Sequence, residues 1–145
     1  MKASEFLSKQ DQEAIKAAVE AAEKETSGEI RVHLETKCDD EILERAADLF
    51  EKLGMHKTEL RNGVLIYLAI ENKQFAIIGD AGINGKVPQG FWESTSNLMS
   101  GYFKKGEFGK GLAEGVKEAG HQLKTFFPCQ KNDKNELSDD ISYGS

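Results

Sequence analysis

The longest apolar stretch of the sequence, Val64 to Ile70, is the feature that most limits how this chain can fold. Its apolar residues stand at adjacent as well as alternate positions, so both sides of an extended strand would be hydrophobic. Such a strand lies inside a sheet whose two faces are both covered. The stretch is far shorter than the roughly 20 apolar residues that a membrane-spanning helix needs. The pattern therefore predicts an α/β domain built around this strand.

Two further strands are predicted, one on each side of it in the sequence. Glu29 to Glu35 alternates polar and apolar residues, which is typical of a strand with one buried face. Gln74 to Gly79 follows after a short turn, so the second and third strands are expected to form an antiparallel hairpin. A helix separates the first strand from the second, which predicts parallel pairing with a right-handed crossover.

Four helices are predicted from apolar residues at helical spacing. Gly115 and Gly120 in the last helix each cost about 1 kcal/mol relative to alanine, and we expect close approach to the sheet to compensate. Helices before and after the hairpin must cover both faces of the sheet, which predicts a three-layer α/β/α sandwich around a small mixed sheet of three to four strands. The predicted helices run from Ser8 to Gly28, from Asp39 to Gly54, from Pro88 to Gly106 and from Leu112 to Pro128.

Length, charge and cysteine usage narrow the class of protein. The chain of 145 residues suits one domain with its own core. A net charge of -6 disfavours nucleic-acid binding and favours cations. Cys38 and Cys129 lie far apart and are expected to be free thiols. Met1 to Phe6 has no apolar stretch behind its lysine, so we expect no signal peptide, no membrane insertion and a cytoplasmic location.

Familiar catalytic motifs are absent from the sequence. It has no GxSxG elbow, no HExxH pair and no GxGxxG fingerprint. His33, His56 and His121 are scattered, and hydrogen-bonded or surface histidines are the simplest interpretation. Cys38 precedes a predicted helix, but no base partner for it is visible. The residues therefore favour neither a zinc site nor a nucleophilic enzyme.

Oxygen-bearing side chains are concentrated in two loops that follow strands. Glu35, Asp39 and Asp40 stand at the end of the first predicted strand, and Asp80 and Asn84 follow the third. Carboxylate and amide oxygens are the ligands that Ca²⁺ and Mg²⁺ prefer. These five residues are therefore the predicted ligands of a divalent cation.

Two considerations compete with a shared cation site. Asp39 and Asp40 would also serve as caps of the helix that follows them, which explains both without a metal. Asp80 has no predicted helix to cap. Because the third strand runs antiparallel to the second, the loop after it leaves the end of the sheet opposite to Glu35. The two loops can share an ion only if one crosses the edge of the sheet or if the first strand pairs differently.

The order and spacing of several segments resemble the TPM domain family. The resemblance covers residues 8–127, and its first matching segment follows an amphipathic helix. The segments that carry it are Thr26 to Val32, Arg61 to Leu65, Lys73 and the strand after it, Gly79 to Ile83, and, after Phe103, Gly109, Gly111 and Leu112.

This resemblance implies an α/β/α sandwich, and it implies links to acid phosphatase activity, to calcium binding and to the assembly of membrane protein complexes. Family members often carry a signal peptide and an anchor, which we do not expect here, and an aromatic residue where Asp80 stands. We expect a stand-alone TPM domain over residues 1–127, followed by a polar acidic tail over residues 128–145.

Three hypotheses about function follow. The first is a monomeric regulatory or protein-interaction module that binds Ca²⁺ or Mg²⁺ and, in response, a protein partner. The second is a metal-dependent acid phosphatase, with Asp80 or Asp39 as a metal ligand and a neighbouring carboxylate as the base. The third is an interaction scaffold whose acidic surface has no specific ligand.

Overall fold

A four-stranded mixed sheet forms the middle layer of the protein. The computed structural model describes residues 2–129 and 137–144. Strand β2 pairs in parallel with β1 and antiparallel with β3, as the sequence predicts, and β4 adds to the other edge of β1 in parallel. The order across the sheet is β3-β2-β1-β4. The strands are β1 (Glu29–Glu35), β2 (Gly63–Ala69), β3 (Gln74–Gly79) and β4 (Ser142–Gly144).

Helices cover both faces of this sheet, so the predicted α/β/α sandwich is confirmed. One face packs against α3, and the other packs against α1, α2, α5 and α6. Within residues 2–129 and 137–144, no helix is both long and apolar enough to cross a membrane. The helices are α1 (Ala3–Phe6), α2 (Lys9–Glu25), α3 (Ile42–Lys52), α4 (Ala81–Asn84), α5 (Glu93–Lys104) and α6 (Phe108–Leu123).

Strand β2 is buried along its whole length, as its apolar sequence requires. Leu65, Tyr67 and Ala69 belong to the core beneath α3. Val64, Ile66 and Leu68, which alternate with them, belong to the larger core beneath the other helices. The alternation of a strand thus sends one continuous apolar run into two separate cores.

The glycines of α6 permit close packing, but their neighbours are helices and not the sheet, contrary to our expectation. A Cβ atom on Gly120 would lie 2.7 Å from the Cβ of Ala22 in α2. One on Gly115 would lie 2.5 Å from the sulfur of Met99 in α5. The small residues therefore let α6 approach α2 and α5 closely, which offsets their low helix propensity.

Three helix predictions need correction. Helix α3 begins at Ile42 and not at Asp39. Helix α5 begins at Glu93 and not at Pro88, so the five residues from Pro88 to Trp92 form a turn before it. Asp80, which we predicted to have no helix to cap, is the N-cap of the short helix α4. The four residues of α4 are too few for a periodic apolar pattern to be visible in the sequence.

The described part of the predicted tail returns to the domain. Leu137 packs against the core beneath α3, and Ile141 packs against the larger core. Residues 142–144 then form β4, and residues 130–136 of the predicted tail lie outside the described residues. The segment 137–144 is called the C-terminal segment below.

Candidate functional site

Glu35 lies in a buried cluster of polar side chains at the end of β1. Arg45 of α3 donates two hydrogen bonds to its carboxylate, at 3.0 and 2.5 Å, and the Tyr67 hydroxyl donates a third at 2.6 Å. Burial by itself would raise the pKa of Glu35, but these bonds and the charge of Arg45 outweigh it and hold the pKa below its ordinary value. Glu35 is therefore a buried carboxylate whose negative charge is balanced by Arg45 and whose oxygens already accept hydrogen bonds from Arg45 and Tyr67.

His33 extends this cluster toward the C-terminal segment. Its ring stacks on that of Tyr67 at 5.9 Å, and its Nδ1 lies 2.7 Å from the Ser142 hydroxyl of β4. Burial lowers the pKa of His33, although the charge of Glu35 opposes this shift. We assign His33 as neutral at physiological pH, with the C-terminal segment covering it.

The loop between β1 and α3 is fixed by Asn72 of the β-hairpin turn. The Asn72 side chain accepts a hydrogen bond from the Cys38 amide at 2.9 Å and donates one to the Cys38 carbonyl at 2.7 Å. Asp39 and Asp40 are exposed on this loop, and Asp39 forms a surface ion pair with Lys37 at 3.3 Å. Neither aspartate caps α3, whose N-cap is Glu41. Helix capping therefore does not account for these two residues.

Asp80 is held by partners at the other end of the sheet. Arg61 donates two hydrogen bonds to its carboxylate at 2.7 and 2.8 Å, and the Ala81 amide donates another at 2.7 Å. These bonds hold the pKa of Asp80 below its ordinary value in spite of burial. Asn84 donates a hydrogen bond to the Gly79 carbonyl at 3.1 Å. The Asp80 carboxylate thus caps α4 and balances an arginine.

The five predicted metal ligands do not lie in one site. Glu35 pairs in register with Ala69 at one end of β2, whereas Gly79, which precedes Asp80, pairs with Val64 at the other. Five residues of strand separate those two positions, or about 17 Å at the usual rise per residue. Neither loop crosses the sheet, and β1 pairs as predicted, so the condition for a shared ion is not met. Among residues 2–129 and 137–144, no three Asp, Glu, His or Cys side chains are grouped to hold a metal.

A different junction brings acidic residues together, where the C-terminal segment docks against α2. The carboxyl groups of Glu23 and Asp139 are hydrogen-bonded to each other. The pKa of Glu23 is raised to about 8. Burial contributes most, followed by this hydrogen bond and by the negative charges of Asp139, Glu20 and Glu29. With its pKa at about 8, the carboxyl group of Glu23 keeps its proton at neutral pH.

Other contacts attach the C-terminal segment beside this junction. Lys16 of α2 forms an ion pair with Asp140 at 2.9 Å, and the Leu137 amide donates a hydrogen bond to Glu29 at 2.8 Å. Sequence reasoning missed the junction because Glu23 and Asp139 are 116 positions apart. The available signal was the pair of apolar residues Leu137 and Ile141 in an otherwise polar segment.

Comparison with known proteins extends these observations. A family model described as the TPM domain matches residues 1–122. The chain is similar to the BA42 protein of the psychrophilic bacterium Bizionia argentinensis, solved by NMR, with 48% identity, a TM-score of 0.93 and 99% of each chain covered. A search of the curated proteins found no match.

Two more distant structures share the fold. One is the N-terminal domain of a P. gingivalis protein, at 21% identity and a TM-score of 0.71, covering 86% of this chain and 80% of that one. The other is the N-terminal domain of the cg2496 protein from Corynebacterium glutamicum, at 14% identity and a TM-score of 0.61, covering 93% and 79%.

Proposed function

Starting from the fact that the chain belongs to the TPM domain family, we propose that it is a divalent-cation-binding module in which Ca²⁺ or Mg²⁺ fastens the C-terminal segment to the body of the domain. The cation would control whether that segment stays docked. While the segment is docked, it blocks the outer edge of β1. Only when the segment is released would that edge be available to a protein partner.

The observation that carries this proposal is the pair of carboxyl groups of Glu23 and Asp139. Asp139 of the C-terminal segment docks against Glu23 of α2, where Glu20 and Glu29 add negative charge, while Lys16 pairs with the neighbouring Asp140. A proton on Glu23 relieves part of the repulsion between the carboxylates at pH values below about 8. A divalent cation with carboxylate and water ligands would relieve it at higher pH, because hard cations prefer such oxygens.

Docking of the C-terminal segment has a clear consequence for interaction with proteins. Strand β4 contributes three residues, and it covers the edge of β1 opposite to β2. Release of β4 would expose the backbone donors and acceptors of β1 from His33 to Glu35. An exposed edge accepts an extended strand from another chain, which is a common mode of peptide recognition.

Asp39 and Asp40 offer a second position for the cation, since both are exposed, Lys37 pairs with Asp39 only at the surface, and the Asn72 hydrogen bonds fix their loop. Glu35 and Asp80 are less suited, because each carboxylate is engaged by an arginine. A metal-dependent phosphatase that uses Asp80 as a ligand would first have to break its pair with Arg61. No contact of the described residues favours that alternative.

The proposal is tested by thermal unfolding with Ca²⁺, Mg²⁺ or chelator at constant ionic strength. A cation at about 100 times its dissociation constant stabilises by about 2.7 kcal/mol, which corresponds to about 10 °C for a chain of this size. We expect a larger rise near pH 8 than near pH 5, because protons compete for Glu23. Glu23→Gln should abolish most of the rise, while Glu51→Gln, a control at an exposed position on α3, should retain it.

The same titration followed by backbone NMR identifies where the cation acts. We expect the amides of residues 137–144 to shift together with those around Glu23. If Asp39→Asn/Asp40→Asn removes the response and Glu23→Gln does not, the cation binds at the β1–α3 loop and the docking mechanism is wrong. Identical melting curves in Ca²⁺, Mg²⁺ and chelator would overturn the function as a whole.

A further inference from the structure

A cleft of about 440 Å³ opens near the carboxyl end of β2, where the β-hairpin turn meets the junction of α5 and α6. This volume lies within the range of small-molecule sites in proteins. The cleft is on the face of the sheet opposite to α3, and none of its lining residues belongs to the cation junction. It is lined by Leu68, Lys73, Phe75, Ser100, Phe103, Lys104, Gly106 and Phe108.

The apolar wall of the cleft is built from packed aromatic rings. Leu68 and Phe75 are cross-strand neighbours on β2 and β3, so their side chains project from the same face of the sheet. Phe103 meets the ring of Phe75 edge to face at 5.1 Å and stacks on Phe108 at 5.2 Å. These contacts hold the rings in place, so the apolar surface is formed before any ligand arrives.

Positive charge borders this apolar wall. Lys73 lies in the hairpin turn, and Lys104 lies one turn after Ser100 on the same face of α5, with Phe103 beside it. In the part of the chain that the structure describes, neither lysine forms an ion pair with a carboxylate. The protein carries a net charge of -6, so two lysines beside an aromatic cleft and without acidic partners form a local positive field.

We propose that this cleft binds a small organic acid with an apolar body. The aliphatic or aromatic part of the ligand rests against Leu68, Phe75 and Phe103. Its carboxylate lies at the mouth, where Lys73 and Lys104 supply positive charge and the Ser100 hydroxyl can donate a hydrogen bond. A neutral ligand of the same shape is held only by contact with the apolar wall. A small anion without an apolar part is held only by attraction to the two lysines.

The test is an NMR titration of the full chain with octanoate, octan-1-ol and acetate. We expect octanoate to cause saturable shifts at the amides of residues 73–75 and 103–108. Octan-1-ol should perturb the same amides with weaker affinity, and acetate should leave them nearly unchanged. Equal affinity for octanoate and octan-1-ol, or no saturable shift at these amides, would overturn the assignment.

Matched variants show how much of the binding depends on the two lysines and how much depends on the open volume of the cleft. Lys73→Gln/Lys104→Gln should weaken octanoate binding about three- to tenfold, as expected for two solvent-exposed charge pairs, and leave octan-1-ol unaffected. Lys117→Gln, which removes an exposed lysine elsewhere on α6, is the control. Ser100→Leu should fill the cleft and remove binding of both ligands while the spectrum stays that of a folded protein. Unchanged octanoate binding in either cleft variant counts against the site.

Discussion

Arg45 is the residue that makes burial of the Glu35 carboxylate possible. Its two hydrogen bonds compensate a charge that Tyr67 alone could not stabilise. We expect Arg45→Ala to lower the free energy of unfolding by about 2–4 kcal/mol at neutral pH, because it leaves a buried anion without its cation. Denaturant unfolding measures this, and Lys52→Ala, an exposed site on the same helix, should change stability by less than about 0.5 kcal/mol.

The pH dependence of this variant provides a second check. In the parent protein the pKa of Glu35 is lowered, so the pair stabilises fully above the ordinary value of 4.5 and loses its contribution as the pH falls below it. Without Arg45, burial would raise the pKa of Glu35, and protonation would relieve the penalty. The difference between the variant and the parent should therefore shrink near pH 4. A penalty that stays constant with pH would show that lost packing, and not charge, is responsible.

The sequence predicts which loops carry the residues of the candidate site, but not the partners of those residues. The sequence located the loops that carry Glu35, Asp39 and Asp80 correctly, because strand ends are visible in hydrophobic patterns. It could not show that Arg45 pairs with Glu35 and that Arg61 pairs with Asp80. These partners stand 10 and 19 positions away, and which side chains meet depends on the direction of each in the folded protein.

Among the helices, Gly101 and Gly120 offer a matched comparison. Alanine improves helix propensity at both positions by about 1 kcal/mol. A Cβ atom on Gly101 meets nothing within 4 Å, whereas one on Gly120 would approach Ala22 to 2.7 Å. We expect Gly101→Ala to raise the free energy of unfolding by about 0.5–1 kcal/mol and Gly120→Ala to lower it by about 1–3 kcal/mol.

Thermal or denaturant unfolding of the two variants decides between propensity and packing. Equal stabilisation of both would mean that α6 and α2 separate easily and that Gly120 has no packing role. Opposite signs would establish that the close approach of these helices depends on the missing side chain.

Elements with long periodic patterns were predictable, and short ones were not. The pairing of β1, β2 and β3 followed from chain order and turn length. Helix α4 and strand β4 have four and three residues, so neither carries a pattern of its own. Strand β4 exists because β1 provides an edge for it, and α4 is stabilised by its adjacent cap Asp80, which the distant Arg61 holds in place.

For the whole molecule, the raised pKa of Glu23 predicts how stability changes with pH in the presence of chelator. The ordinary pKa is 4.5 and the pKa in the folded protein is about 8, so between these values the folded protein holds a proton that the unfolded chain has lost. Stability should therefore fall as the pH rises through this window. Burial of neutral His33 acts in the opposite sense below its ordinary pKa of 6.5.

Glu23→Gln isolates this contribution, because glutamine resembles the protonated acid at every pH. We expect the variant to be more stable than the parent near pH 8 and nearly equal to it near pH 4.5. Glu51→Gln, at an exposed position on α3, serves as the comparison. A Glu23→Gln curve parallel to that of the parent would show that the repulsion at this junction does not limit stability.

The position of β4 bears on how the protein is made and handled. Strand β1 ends at Glu35, yet its outer neighbour β4 begins only at Ser142, so the two strands leave the ribosome at well-separated times. We expect the outer edge of β1 to stay unpaired during synthesis until residues 142–144 have left the ribosome. An affinity tag is therefore better placed away from residues 142–144, where this late strand must pair with β1.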